Sequence, residues 1–282
     1  MTAKFRRSSA IAPIFLTIIL IIQVILILYP IAFTISSSLT ESNSLASTSI
    51  VPFGNKVSLF QYKRLFTSTN YFHWYMNTLI IAASNSVITV IVCSLCGYIF
   101  SRFWFPMKKP IMASMIILQM FPSFIGMIAT YVILWKLNAL DTLWGLVLVY
   151  SAGSIPFNSW LMKGYFDSIP HDISEAAYID GATPLAAFLK VVIPAARPQV
   201  IFLALTSFTG PWMDFIFPRL ILRSDDKKTL ALGLFELING RANDNFTMFA
   251  AGALLVAVPF TLLFMAGQKF LLKSLAAGAV KE

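Results

Sequence analysis

Residues 18–22 read Ile18-Ile19-Leu20-Ile21-Ile22, a run that puts an apolar side chain on every side of whatever it forms. Residues 254–263 behave in the same way. A half-buried strand would alternate apolar and polar residues, and a helix facing water would keep a polar face. Neither pattern is present, so the run is read as helix in hydrocarbon, which takes roughly 20 residues to cross about 30 Å. Working outward, segments without Asp, Glu, Lys, Arg or His cover residues 8–40, 74–101, 110–135, 142–162, 198–218 (interrupted by Asp214) and 245–268. A spanning backbone must satisfy its own hydrogen bonds, and a barrel would need alternating segments of about 10 residues. The sequence predicts an all-α, polytopic membrane protein with six transmembrane helices.

Composition agrees. Only 12% of the chain is charged and 58% is hydrophobic, about half the charge of a soluble domain, where it is roughly 25%. The uncharged run behind Lys4, Arg6 and Arg7 exceeds the roughly 7 to 15 residues of a signal-peptide core, which makes it a retained first helix. Basic residues at helix ends mark the cytoplasmic side. With the N-terminus inside, the inner segments hold Lys4, Arg6, Arg7, Arg102, Lys108, Lys109, Lys163, Lys190, Arg197, Lys269, Lys273 and Lys281, a majority of the 21 Lys and Arg. Both termini are expected in the cytoplasm. The same scatter accounts for the net charge of +9 without nucleic acid, which would call for a dense basic patch. Cys93 and Cys96 share a helix face inside a span with no further ligands in sequence, and are read as packing residues.

The chain divides into residues 1–40 (N-terminus and first helix), an outer loop 41–73, a five-helix core 74–271 and a tail 272–282. The outer loop is rich in Ser, Thr and Asn and contains Pro52-Phe53-Gly54, compatible with a small folded cap. Inside the core, an inner loop 163–197 and an outer loop 221–245 are longer than connection requires, and long ordered loops more often bind than merely connect. The outer one carries Asp225-Asp226-Lys227-Lys228, Glu236 and Asn239-Gly240-Arg241; a solvated connector is its alternative reading.

The inner loop is the more informative. Ser168 is a candidate N-cap, Pro170 suits an early helical position, and Asp172 sits where the helix dipole favours negative charge. A short helix, Ile173-Ser174-Glu175-Ala176-Ala177-Tyr178-Ile179-Asp180, is expected to stop at Gly181 in the left-handed position. Thr183 and Pro184 open a second helix, in which Leu185, Phe188, Leu189 and Val192 recur at helical spacing until Pro194 ends it. A pair of amphipathic helices hinged at glycine suits docking into a groove on another protein. The alternative is a helix lying on the bilayer, which would be basic where this one is acidic.

Glu175-Ala176-Ala177, Gly181 after three intervening residues, then nine residues before Val191-Val192-Ile193-Pro194 resemble the EAA loop, the coupling-helix loop of ATP-binding-cassette (ABC) importer permeases. Asn77-Thr78-Leu79, Tyr98 to Phe105, Gln119-Met120-Phe121-Pro122, Leu161 to Pro170, Gly210 to Phe215 and the tail Leu275 to Lys281 are similar to the carbohydrate-uptake branch, specifically the smaller, six-helix partner in maltose-type importers. The resemblance covers nearly the whole chain, with Ile193 in place of the commoner leucine. It implies a multi-pass subunit in a prokaryotic cell membrane, transporting maltose, maltodextrin or a related oligosaccharide. Its partners would be a second permease, two ABC ATPases and an external sugar-binding protein, with membrane lipid around it. Glu175, Ala176, Ala177, Asp180, Gly181, Ile193 and Pro194 would couple to the ATPase. Glu236, Asn239, Gly240, Arg241 and Asn243 would face the binding protein, and Gly278 and Lys281 would reach the ATPase dimer.

The chain contains no G-x-x-x-x-G-K-[ST], so it cannot cradle ATP phosphates through a P-loop. No cofactor is expected on this chain; ATP and Mg belong to the partner subunits. His73 and His171 are solitary and lie outside the spans, against a membrane enzyme. An ATP-independent channel or secondary transporter would show repeated halves or several buried charges. Asp214 beside Trp212 is read either as part of a translocation path or as a group meeting interfacial water. Asn85, Gln119 and Asn158 either line that path or bond helix to helix. Met120-Phe121-Pro122 and Ile155-Pro156-Phe157 are expected to kink their helices.

Overall fold

The computed structural model describes residues 11–239 and 245–279. Among the described residues every regular element is helical, apart from a lone antiparallel bridge between Thr40 and Val57. Among the described residues three helices are long and apolar enough to cross a membrane, and two further pairs qualify as spans only if each is taken together across a bend. The chain forms two compact units, residues 1–69 with 236–257, and residues 70–235 with 258–282.

In the first unit, α1 (Ile11–Ser38) exposes large apolar side chains on all sides, Leu26 at 68%, which is the surface of a helix meant for lipid. Residues 41–69 fold into a cap around α2 (Phe60–Ser68). The buried Gln61 anchors it, its Nε2 donating to the carbonyls of Glu41 (3.2 Å) and Ser42 (2.9 Å) and to Asn43 Oδ1 (3.1 Å). Thr247 Oγ1, near the start of α13 (Phe246–Ala279), donates to the Ser42 carbonyl at 2.6 Å.

In the second unit, α3 (Tyr71–Arg102) packs along α6 (Leu143–Asp167) and α10 (Arg197–Met213). Asn85, Thr89, Cys93, Gly97 and Ser101 recur every fourth residue and are all buried, giving α3 a stripe of small side chains that lets helices approach closely. At Gly97 an added Cβ would meet Met162 Cβ at 2.7 Å and the Lys163 amide nitrogen at 2.9 Å. Cys93 is one member of this stripe, its thiol directed at the Ile155 carbonyl at 3.8 Å.

Two expectations change. The span read over residues 110–135 is broken into α4 (Lys108–Gln119) and α5 (Ser123–Lys136), bent by 105°. Pro122 supplies no N–H and disfavours helical backbone at Phe121, so the kink becomes a break. The helix ending the span over 198–218 stops at Met213, and a short α11 (Ile216–Ile221) follows Asp214. Pro156, by contrast, lies inside an uninterrupted α6.

The outer loop over 221–245 is largely helical: a 3-10 turn at Asp225–Lys227, then α12 (Leu230–Asn239). Polar side chains of α3 hold its start. Asn77 Nδ2 donates to the carbonyls of Asp226 (2.7 Å) and Lys228 (3.0 Å), and Thr78 Oγ1 accepts from the Leu230 amide (2.8 Å). A Cβ at Gly233 would strike the Trp74 ring at 2.3 Å, so the glycine lets α12 lie against it.

Candidate functional site

Between α6 and α10 the chain makes the unit read as two hinged helices. α7 (His171–Ile179) begins two residues later than a cap at Ser168 would place it, with Pro170 at its cap. Ser168 instead ends α6, its hydroxyl donating to the Tyr165 carbonyl at 2.7 Å. Gly181 takes φ +84° and the amides of Gly181 and Ala182 return to the carbonyls of Tyr178 and Ala177, which closes α7 with a left-handed residue. Thr183 Oγ1 accepts from the Ala186 amide at 3.2 Å and Pro184 opens α8 (Pro184–Ala187). Helix then continues through a π turn (Phe188–Val192) into α9 (Ile193–Ala195). Pro194 therefore does not end the run: it occupies the first turn of α9, where a missing N–H is harmless. The break comes at Ala196, where the chain bends by 83° into α10.

This loop is bolted to the ends of the spans. Phe188, Val192 and Ala196 are buried with Tyr98, Met162, Phe166 and Leu203, and Ile193 packs against that cluster. The Tyr98 and Tyr178 hydroxyls meet at 2.9 Å, and Tyr98 also donates to the Pro184 carbonyl at 3.3 Å. Arg102 Nη2 donates to the Ile169 carbonyl at 2.9 Å, and Ser101 Oγ to Asp167 Oδ1 at 2.7 Å. The opposite face is open. Glu175, Ala176, Asp180 and Gly181 are exposed, with Ile179 at 87%, Leu185 at 58% and Leu189 at 55%. Ala177 and Pro194 are half-buried, so the residues read from sequence divide between an exposed face (Glu175 to Gly181) and an inner anchor (Ile193, Pro194). Sequence reasoning did not single out Ile179 or the Tyr98–Tyr178 pair; the helical spacing of Ile179 with Glu175 and Ala176 was the available signal.

A second constellation lies among α3, α6 and α10. Asn85 is buried and bonded on both sides: Nδ2 donates to the Ser207 carbonyl (2.7 Å) and Oδ1 accepts from Ser151 Oγ (3.1 Å). It also lines a cavity of about 260 Å³ with Tyr150, Ser154, Asn158, Thr206, Ser207 and Gly210. Tyr150 and Ser154 go on to line a larger, mostly apolar cavity of about 840 Å³ with Asp214. Asp214 Oδ1 accepts from the amides of Ile216 (2.8 Å) and Phe217 (3.4 Å), capping α11, while Oδ2 accepts from the Tyr150 hydroxyl (2.9 Å). Gln119 Nε2 reaches only the Gly153 carbonyl, at 3.2 Å on an exposed surface. Trp212 is 5% exposed and packs edge-on against Tyr75 and Phe260, and it lines neither cavity.

Where the chain turns from α5 into α6, Asp141 makes a third feature. Its carboxylate accepts from the amides of Arg223 (2.9 Å) and Ser224 (3.0 Å), from the Ser224 hydroxyl and from Lys227 Nζ (3.4 Å). Burial alone would push this carboxyl up; the Ser224 hydroxyl, the two amides and Lys227 outweigh it and hold it well below the usual carboxylate range. Glu236 and Asn239 are exposed residues of α12, while Gly240, Arg241 and Asn243 lie outside the described residues. Gly278 belongs to the last turn of α13, and Lys281 is outside the described residues.

Membrane-length helices whose long inter-span loop folds into a hinged helix pair, with cavities carrying a few polar side chains between α6 and α10, fit a transport subunit. The chain belongs to the family described as binding-protein-dependent transport system inner membrane component, which matches residues 93–276. It is 40% identical over 268 residues to the maltodextrin transport system permease protein MdxG of Bacillus subtilis, covering 95% of this chain and 94% of that one. It is 37% identical to the galactooligosaccharides transport system permease protein GanQ of the same organism, across 100% of both chains. Its fold is similar to a chain in the crystal structure of a bacterial ABC transporter importing the acidic polysaccharide alginate, with a TM-score of 0.83, 23% identity, and coverage of 95% and 99%. The chain is thus a membrane permease subunit of an ABC importer and not an enzyme.

Proposed function

We propose that this subunit, with a second permease, forms the translocation path of an ABC importer for a sugar, a maltodextrin or a related oligosaccharide. In this reading six spans cross the membrane: α1, α3, α4 with α5, α6, α10 and α13. α6, at 25 residues, reaches roughly 37 Å at helical rise, and its polar residues fit a helix lining a path better than one facing lipid. Both termini and the loop 163–197 then lie in the cytoplasm. The exposed face of Glu175, Ala176 and Ile179 docks on an ATPase subunit, where ATP and Mg are held. Closure of the ATPase pair on ATP moves the two loops together. The buried Phe188, Val192 and Tyr98 pass that movement to α3, α6 and α10 as a rigid-body shift.

The observation that carries the reading is the two-sided build of the loop: one face fixed to three spans, the other left open with acidic and apolar groups together. A channel or secondary transporter has no need of such a face. Affinity purification of the tagged subunit from its own membranes tests it. An ATPase and a second permease should come down with it, and Ile179→Asp should lose the ATPase and keep the permease. A subunit that purifies alone and still supports sugar uptake would refute the reading.

A further inference from the structure

Two helices line the smaller cavity with polar side chains. On α6 these are Tyr150, Ser154 and Asn158, four residues apart, and on α10 they are Thr206 and Ser207; Asp214, just past the end of α10, lines the larger cavity with Tyr150 and Ser154. Residues four apart share a helix face, so the α6 row runs about 12 Å along its helix. Tyr150 and Ser154 line both cavities and so connect them into one track, a row of polar side chains in largely apolar walls with the Tyr150–Asp214 hydrogen bond at one end. Asp214 is the single charged side chain among the residues lining either cavity; no Lys, Arg or His lines them. Its carboxylate accepts three bonds from protein donors, and a carboxylate has about four acceptor positions, so one remains for a solute.

We infer that Asp214 is a specificity-determining residue, which biases this track toward neutral, hydroxyl-rich sugars and against glycans bearing carboxylates. A neutral sugar brings hydroxyls that donate to Asp214 and exchange bonds with Ser154, Thr206 and Asn158. A uronate brings a second negative charge into a path with no cation on this subunit to offset it, in surroundings of low dielectric where like charges repel strongly. The inference rests on the reading of these cavities as the translocation path.

The test uses the whole importer in a Cys93→Ala, Cys96→Ala background, with Ser154→Cys or Asn158→Cys as reporter. Each thiol is modified by a cationic and by an anionic methanethiosulfonate of similar size, and the ratio of the two rates is read with and without Asp214→Asn. Asparagine retains the oxygen that caps α11 and removes only the charge. The expected cation-to-anion ratio is on the order of tenfold with Asp214 present, falling to near one in Asp214→Asn. Equal rates with Asp214 in place, or a ratio that survives Asp214→Asn, overturns the inference and leaves the path intact. Reporters that react with neither reagent in any nucleotide state overturn the path itself.

Discussion

At the scale of single residues, the loop turns on backbone geometry that sequence announced in advance. The place of Gly181 after a short acidic helix predicts the left-handed conformation it adopts, at φ +84°. A side chain there would meet nothing within 4 Å, so a substitution is opposed by strain alone, about 1–2 kcal/mol for most residues and less for Asn. Gly181→Val should therefore lower hydrogen-exchange protection of α7 while Gly181→Asn largely preserves it. Equal protection in the two would mean that the turn does not need glycine. Asp141 escaped notice because its ligands lie more than 80 residues away in sequence, at Arg223 to Lys227. Its pKa in the folded chain is depressed, so it stabilises the fold at every pH above the unfolded carboxyl's value of about 3.9, and that contribution fades as pH falls below it. Asp141→Asn should lower the melting temperature of the detergent-solubilised importer at pH 7 and narrow its gap to wild type as the pH drops below about 4. A gap that stays constant across that range would contradict the assignment.

At the scale of elements, the spans were legible as apolar runs because lipid demands them, but their interruptions were only partly so. The break at Met120 to Pro122 followed from proline chemistry, whereas the π turn at Phe188–Val192, which carries helix past Pro194, has no local signature. Packing registers are harder to read: Asn85, Thr89, Cys93, Gly97 and Ser101 form a four-residue repeat that a hydropathy reading passes over because what they share is small size, not polarity. Its tightest point is Gly97 against Met162 and the Lys163 backbone. Gly97→Leu has to part α3 from α6 and should cost about 1–3 kcal/mol, typical of overpacking, seen as a lower melting temperature and weaker assembly. Gly153→Leu, where an added Cβ meets nothing within 4 Å, is the matched control and should be tolerated. Comparable losses in both would remove close helix approach as the reason for Gly97.

For the molecule as a whole, the proposed coupling assigns the energy source to partner ATPases and makes the exposed face of α7 the surface that receives their movement. In that reading the loop can transmit force because Phe188, Val192 and Tyr98 are packed with α3, α6 and α10 while Ile179 and Glu175 stay outside. The polar track was only half legible, because Tyr150, Ser154 and Thr206 look like ordinary helix residues until Asn158 and Asp214 are placed beside them. The most direct test of the coupling claim is ATP hydrolysis stimulated by sugar-loaded binding protein, measured on the reconstituted importer with Glu175→Lys and with Ile179→Asp. Removing a docking anchor typically costs on the order of 2 kcal/mol or more, so stimulated hydrolysis and sugar uptake should both fall more than about tenfold while the subunit still inserts in the membrane with its partner permease. Full stimulation and full uptake in both variants would contradict the account.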